Sequence, residues 1–217
     1  MALALFDLDG TLLAGDSDYL WGQHLVELGV VDSDSYERTN REFYEQYLQG
    51  TLDIYAFSRF AFKPLSQHPL NTLKQWRSDF VERRIKPIMT RKGIDAVDRH
   101  RKAGDHLIII TSTNSFITQP IAELYGVHQL IAAQPEMVDG KYTGELVSPC
   151  FAHHKLDRLN EWLEVCGLDL RGSYGYSDSH NDLPLLDAVE HPYAVDPDDK
   201  LQQHAIKHGW EIISFRD

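Results

Sequence analysis

Asp7 and Asp9 stand two positions apart, directly after the apolar run Leu3–Phe6 and ahead of Gly10 and Thr11, in the stretch LALFDLDGTLL. Other polar residues fall at comparable places. Thr111, Ser112 and Thr113 follow the run LIII, and Asp178, Asn181 and Asp182 follow or end the stretch YGYSDSHND. Lys155 adds a positive charge near the start of the helical pattern KLDRLNEWLEV. Three carboxylates converging in one crevice repel one another unless a cation sits among them, and oxygen-only ligation suits magnesium. With a metal and Lys155 holding a substrate phosphate, an otherwise weak carboxylate nucleophile can attack phosphorus and form an aspartyl phosphate. Hydroxyls and backbone amides of Thr111–Thr113 would then bind the transferring oxygens. The chemistry expected of this set is phosphoryl transfer.

Positioning such residues requires strands that end at one edge. Short apolar or β-rich runs recur at Ala2–Phe6, Leu107–Thr111, Tyr174–Ser177, Tyr193–Val195 and Glu211–Phe215, with helical patterns between most of them. This alternation predicts an α/β fold, Rossmann-like and doubly wound around a mostly parallel sheet. In such sheets ligands bind beyond the carboxyl ends of the strands, which is where the polar residues fall. Between residues 15 and 86 the periodicity is helical with no strand signal, so an inserted α-helical cap over the sheet is expected. The expected division is a core of residues 1–14 and 87–217 and a cap of residues 15–86. Gly29, Gly50 and the stretch Pro64–Pro69 are read as breaks between cap helices. Asp139 and Gly140, between alternating residues in MVDGKYTGEL, predict a β-hairpin.

Composition narrows the class of function. The chain has 217 residues, 42% hydrophobic and 25% charged, and a formal net charge of −12, which disfavours nucleic-acid binding and suits a small-molecule partner. No apolar stretch approaches the roughly 20 residues of a membrane helix, and the first residues lack a basic signal-peptide region. A cytoplasmic location without membrane contact is the expectation. Cys150 and Cys166 belong to no CxxC motif and are read as reduced thiols. An EF-hand reading of the first motif fails because Leu12 occupies the sixth loop position, where calcium loops place glycine. His153, His154 and His180 show no zinc-ligand spacing.

DLDGT, IIITSTN, the lysine of FAHHKLDRL and YGYSDSHNDLPLL occur in the order found in haloacid dehalogenase-type phosphatases, and the chain resembles that family over essentially its whole length. It is most similar to the subfamily with a helical cap between the first and second motifs, which includes the phosphoserine phosphatases. The resemblance implies Asp7 as nucleophile, Asp9 as the acid/base that protonates the leaving alkoxide and later activates water, and Lys155 as the charge-neutralising lysine. It further implies Thr111 as the phosphate-binding hydroxyl, with Ser112, Thr113 and Asn181 near phosphate. Magnesium would be held by the Asp7 side chain, the Asp9 backbone carbonyl and the Asp178 side chain, supported by Asp182.

Asp16, in the stretch GDSD, falls where phosphoserine phosphatases carry an acid that contacts the substrate amine, and it is equally well placed to cap a helix. The cap arginine that holds a substrate carboxylate in those enzymes has no clean match in YAFSRFAFKPL, although Arg59 and Lys63 are nearby. The wording of FDLDGTLLAGDSD and GYSDSHNDLPLL resembles the histidinol-phosphatase branch instead. Its substrate has an amine and an imidazole, which suit Asp16 and aromatic cap residues such as Phe57, Phe60 and Phe62, themselves also candidates for cap core. A magnesium-dependent phosphomonoesterase acting on histidinol phosphate is therefore expected, with phosphoserine or another amino-alcohol phosphate as the alternative. Phosphotransfer to a second alcohol is a neighbouring possibility, and a phosphorylatable signalling module is the alternative from a different class. Such a module is normally shorter and carries its phosphoacceptor later in the chain.

Overall fold

The computed structural model describes residues 2–216. Its frame is one seven-stranded sheet. The strands are β1 (Leu3–Phe6), β2 (His106–Asn114), β3 (Gln129–Val138), β4 (Lys141–Ser148), β5 (Tyr174–Ser177), β6 (His191–Val195) and β7 (Glu211–Ile213). Their order is β4-β3-β2-β1-β5-β6-β7, and every neighbouring pair is parallel except β3 with β4. β1 is buried throughout, as its unbroken apolar run requires of a strand covered on both faces. It is also the point from which the order runs outward in both directions, β2 to β4 on one side and β5 to β7 on the other. That reversal opens a crevice at the carboxyl ends of β1, β2 and β5.

The chain between β1 and β2 begins with α1 (Ser17–Glu27), α2 (Ser33–Gln49), α3 (Ile54–Gln67) and α4 (Leu70–Phe80), which runs on through a π-helical turn (Val81–Ile85) and a 3-10 turn (Lys86–Ile88). The first three start on an aspartate, Asp16, Asp32 and Asp53, whose carboxylate accepts a backbone N–H of the first turn. Gly29 and Gly50 follow α1 and α2 as expected, but Pro64 does not break the chain: it lies inside α3, which runs on to Gln67. A proline late in a helix costs one hydrogen bond, and burial of Pro64 and Leu65 on the packed face offsets it. The helix ends at His68, whose extended backbone is the conformation favoured before Pro69.

The helical segment shares its apolar core with the sheet. Trp21 of α1 meets Phe80 of α4 and Phe116 edge to face, with ring centroids 5.3 and 5.9 Å apart. The same cluster includes Phe6, Leu8 and Leu12 around the first strand. Phe62 is buried in it, and Phe60 packs on Tyr36 and Phe43.

The remaining helices are α5 (Arg91–Ala103), α6 (Ser115–Leu124), α7 (His153–Cys166), α8 (Leu183–Leu186) and α9 (Asp199–His208). The hairpin turns at Asp139 and Gly140, both at positive φ (49° and 75°), the geometry a two-residue turn of this type demands. β3 begins well before the hairpin signal, at Gln129, in the stretch QLIAAQP, where two alanines and a proline give no strand-like alternation. Among the described residues no helix is long and apolar enough to cross a membrane.

Candidate active site

The crevice gathers the sequence-predicted residues from separate elements. Asp7 is the first residue past β1, and its N–H bonds the Tyr176 carbonyl of β5 at 2.9 Å. Its carboxylate Oδ1 accepts from Lys155 Nζ at 2.7 Å, and the same ammonium donates to Asp182 Oδ2, also at 2.7 Å. Lys155 sits in the first turn of α7 and is only 3% exposed. A buried cation at a helix N-terminus opposes the helix dipole, so its place is set by the two carboxylates it joins. Ser177, the last residue of β5, donates from Oγ to Asp182 at 2.6 Å and so fixes that carboxylate behind the lysine.

Asp9 is held by a different set. Its Oδ1 accepts from the Ser17 N–H at 2.6 Å, at the start of α1, and its Oδ2 accepts from Thr113 Oγ1 at 2.8 Å. The two carboxylates, two residues apart in sequence, thus serve different sides: Asp7 faces Lys155, and Asp9 is tied to the start of α1. Asp178 follows β5. Its carboxylate accepts from Thr11 Oγ1 at 2.8 Å, and its N–H donates to the same oxygen at 3.0 Å. Thr11 Oγ1 also lies 3.4 Å from Asp7 Oδ2, so one hydroxyl bridges the two acids. Gly10, at φ 76°, lies against the Asp178 carboxylate so closely that any Cβ there would collide with it.

Thr111, Ser112 and Thr113 belong to β2 itself, which continues to Asn114 with a register shift against β3 between Thr111 and Asn114. Such an irregularity re-aims side chains at a strand end. Thr111 is buried and accepts the Thr113 N–H, while Ser112 and Thr113 line a cavity under the helices. Asn181 is engaged otherwise: its amide donates to Ser179 Oγ at 3.3 Å and to the Tyr47 carbonyl of α2 at 3.4 Å. Tyr47 Oη in turn donates to Ser179 at 3.0 Å, which fastens the end of α2 to the core. Asp16 caps α1, accepting the Tyr19 N–H, and it also lines the cavity. Of the three phenylalanines singled out in α3, Phe57 alone lines that cavity. Arg59 and Lys63 are exposed and do not line it.

Electrostatics mark the same group. Burial pushes Asp7 up to about 7; Lys155 opposes the rise, and the charges of Asp182 and Asp9 add to it. Burial, with the charge of Asp16, raises Asp9 to about 6 against the hydrogen bonds from Ser17 and Thr113. Asp178 is held well above the usual carboxylate range by burial and by Asp7. Burial disfavours the Lys155 ammonium, yet Asp182 and Asp7 outweigh it and keep the group charged. Of the four acids gathered here, Lys155 pairs with Asp7 and Asp182 alone, and Asp9 and Asp178 have no cation partner among the described residues. The Arg216 guanidinium binds the backbone carbonyls of Gly10 and Thr11 and lies 3.8 Å from Asp196.

Residues 4–187 match the family of haloacid dehalogenase-like hydrolases. The chain belongs to that family. This hydrolase is 40% identical over 219 residues to the histidinol-phosphatase of Neisseria meningitidis serogroup C (strain 8013), with 99% of each chain covered. It is 41% identical to a crystal structure of a protein of unknown function from Bordetella pertussis Tohama I, with a TM-score of 0.93 and 99% of each chain covered. A phosphoserine phosphatase solved as a phospho-aspartyl intermediate analogue shares the fold, with a TM-score of 0.71 at 17% identity and coverage of 99% of this hydrolase and 93% of that chain.

The family implies a magnesium ion. Among the described residues no three His, Cys, Asp or Glu side chains form an all-protein metal cage. Magnesium does not need one: it keeps several waters and takes one or two carboxylates beside a substrate phosphate. Asp7 and Asp178, bridged by Thr11 and left short of positive charge, are a hard-oxygen donor pair of that kind, so the residues fit the ion.

Proposed function

We propose that this hydrolase removes phosphate from a small phosphomonoester, histidinol phosphate, through an aspartyl-phosphate on Asp7. The observation that carries the reading is the split between the two neighbouring acids, Asp7 on Lys155 and Asp9 on Ser17 and Thr113. An Asp7 oxygen attacks phosphorus, the ester P–O bond breaks, and the Asp9 carboxyl gives its proton to the departing alkoxide. Its raised pKa suits a donor that must then act as a base. Asp9 next takes a proton from water as that water attacks phosphorus, which releases phosphate and restores the Asp7 carboxylate. Lys155 offsets charge on Asp7 and the phosphoryl oxygens, the Thr111 hydroxyl and the Ser112 hydroxyl and N–H receive those oxygens, and Thr113 holds Asp9 beside them. Magnesium, held by Asp7, Asp178 and the Asp9 carbonyl, would supply Lewis-acid stabilisation of the phosphoryl charge. Asp182 positions Lys155. Asn181, bound to the Tyr47 carbonyl, serves cap docking more directly than phosphate.

The substrate half of the proposal rests on the cavity and on the histidinol-phosphatase relative. Asp16 and Asp18 line the cavity together with aromatic side chains, and among the described residues no lysine or arginine does. That suits a leaving group bearing an amine and an aromatic ring and lacking a carboxylate. Phosphoserine is the second reading, favoured by Arg41, which lines an adjoining depression with Asp16, Tyr19, Glu37 and Tyr44. The test is phosphate release, with magnesium, from histidinol phosphate, phosphoserine and several sugar phosphates side by side. A preference for histidinol phosphate supports the proposal. Release from phosphoserine instead keeps the chemistry and overturns the substrate.

A further inference from the structure

The cavity holds two polar groups that neither the chemistry nor the helix caps use. Asn40 lies in α2 and is only 8% exposed, yet among the described residues its side-chain amide makes no hydrogen bond. An amide with no protein partner that is reachable from a cavity is free to pair with water or a ligand there. Asn40 lines the cavity beneath the cap helices. With Phe43, Tyr44 and Tyr47 it forms a stripe at i, i+3, i+4 and i+7, so one face of α2 presents an amide beside three aromatic rings. Opposite, α1 contributes Asp18, whose carboxylate also lines the cavity and has no hydrogen-bond or ion-pair partner among the described residues. Burial raises the Asp18 carboxyl well above its ordinary range, and the charges of Asp16 and Asp9 add to that rise.

We propose that Asp18 and Asn40 form a specificity subsite that binds the nitrogen-bearing ring of the leaving group. The inference rests on the histidinol phosphate reading and deepens it. Asp16 is placed for the amine, and the second acid and the amide are placed for a further group. Asp18 offers acceptors when ionised and an O–H donor when protonated, and Asn40 offers both a donor and an acceptor, which together match a protonated or neutral imidazole. Flanking aromatic rings supply stacking and a face for positive charge. A simple alkyl phosphate would leave both groups unpaired, so the pair discriminates by what it fails to satisfy.

The test compares kcat/KM for histidinol phosphate with that for ethanolamine phosphate, which keeps the amine and the phosphate and lacks the ring. Wild type, Asp18→Asn and Asn40→Ala are each assayed, with circular dichroism confirming the fold of each variant. A lost hydrogen bond to a charged group corresponds to roughly a tenfold or larger change. In both variants the preference for histidinol phosphate should fall by about that factor, carried by KM more than by kcat. A preference ratio that stays at the wild-type value in both variants overturns the subsite while the parent reading stands. A wild-type enzyme that releases phosphate from other esters and not from histidinol phosphate overturns the parent reading and this ligand assignment with it.

Discussion

The Lys155 ammonium lies 2.7 Å from Asp182 Oδ2, the same distance that separates it from Asp7 Oδ1. One buried cation therefore holds two buried acids, and removing it strands both. Lys155→Met should lower the unfolding free energy by about 3 kcal/mol or more, the cost of breaking a buried pair, and reduce kcat at least a hundredfold. Adding Asp182→Leu should recover part of the stability and none of the turnover. Urea denaturation and phosphate release separate the two effects, and a double variant that regains activity would contradict the role given to Lys155.

The pH dependence of stability has a contributor outside the crevice. Burial pushes the Asp198 carboxyl up, but hydrogen bonds from the N–H groups of His180 and Leu201 and from the His180 ring outweigh it and hold it below the usual range. A depressed carboxyl contributes stability that is fully present above its unfolded value of about 3.9 and is lost as pH falls through the folded value. Asp198 also caps α9, so Asp198→Ala should cost about 1 kcal/mol at neutral pH. The gap between variant and wild type should narrow as the solution is acidified below about pH 4. Denaturant midpoints measured across that range decide it, and a gap that widens on acidification has the wrong sign.

The two thiols should behave oppositely. Cys150 is 0% exposed and burial pushes it up to about 12, whereas Cys166 is exposed at the end of α7. Because the thiolate is the reactive form, a thiol reagent at neutral pH should label Cys166 rapidly and Cys150 only after denaturation. Peptide mapping after brief labelling reads this directly, and modification of Cys150 in the folded protein would contradict its burial.

How far the site could be read from sequence depended on whether the signal was local. Asp7 and Asp9 announce themselves because carboxylates following a fully apolar run are conspicuous, and Asp178 repeats the pattern after β5. Thr111 and Thr113 were legible as residues at a strand end, although the strand runs on to Asn114 and the irregularity in its pairing aims them. Thr11, Ser17 and Ser177 were not picked out, because a hydroxyl or a backbone N–H becomes informative only once its partner is known. Thr11 stood in plain view beside the first motif, yet its bridge to Asp178 spans distant parts of the chain. Asp18, Asn40 and Tyr47 were invisible for a related reason: on an amphipathic helix the sequence alone does not say which face meets a cavity. Among the elements, the parallel strands with apolar runs were legible, and the start of β3 was not, since Ala132, Ala133 and Pro135 carry no alternating pattern.

The central claim is a covalent phosphoryl group on Asp7, and rapid-quench trapping with radiolabelled histidinol phosphate tests it most directly. Acid-quenched wild type should carry label that hydroxylamine removes and that maps to the peptide containing Asp7. Asp7→Asn should carry none and should not turn over. Label on a different residue, or an Asp7→Asn enzyme that releases phosphate at the wild-type rate, would contradict the account.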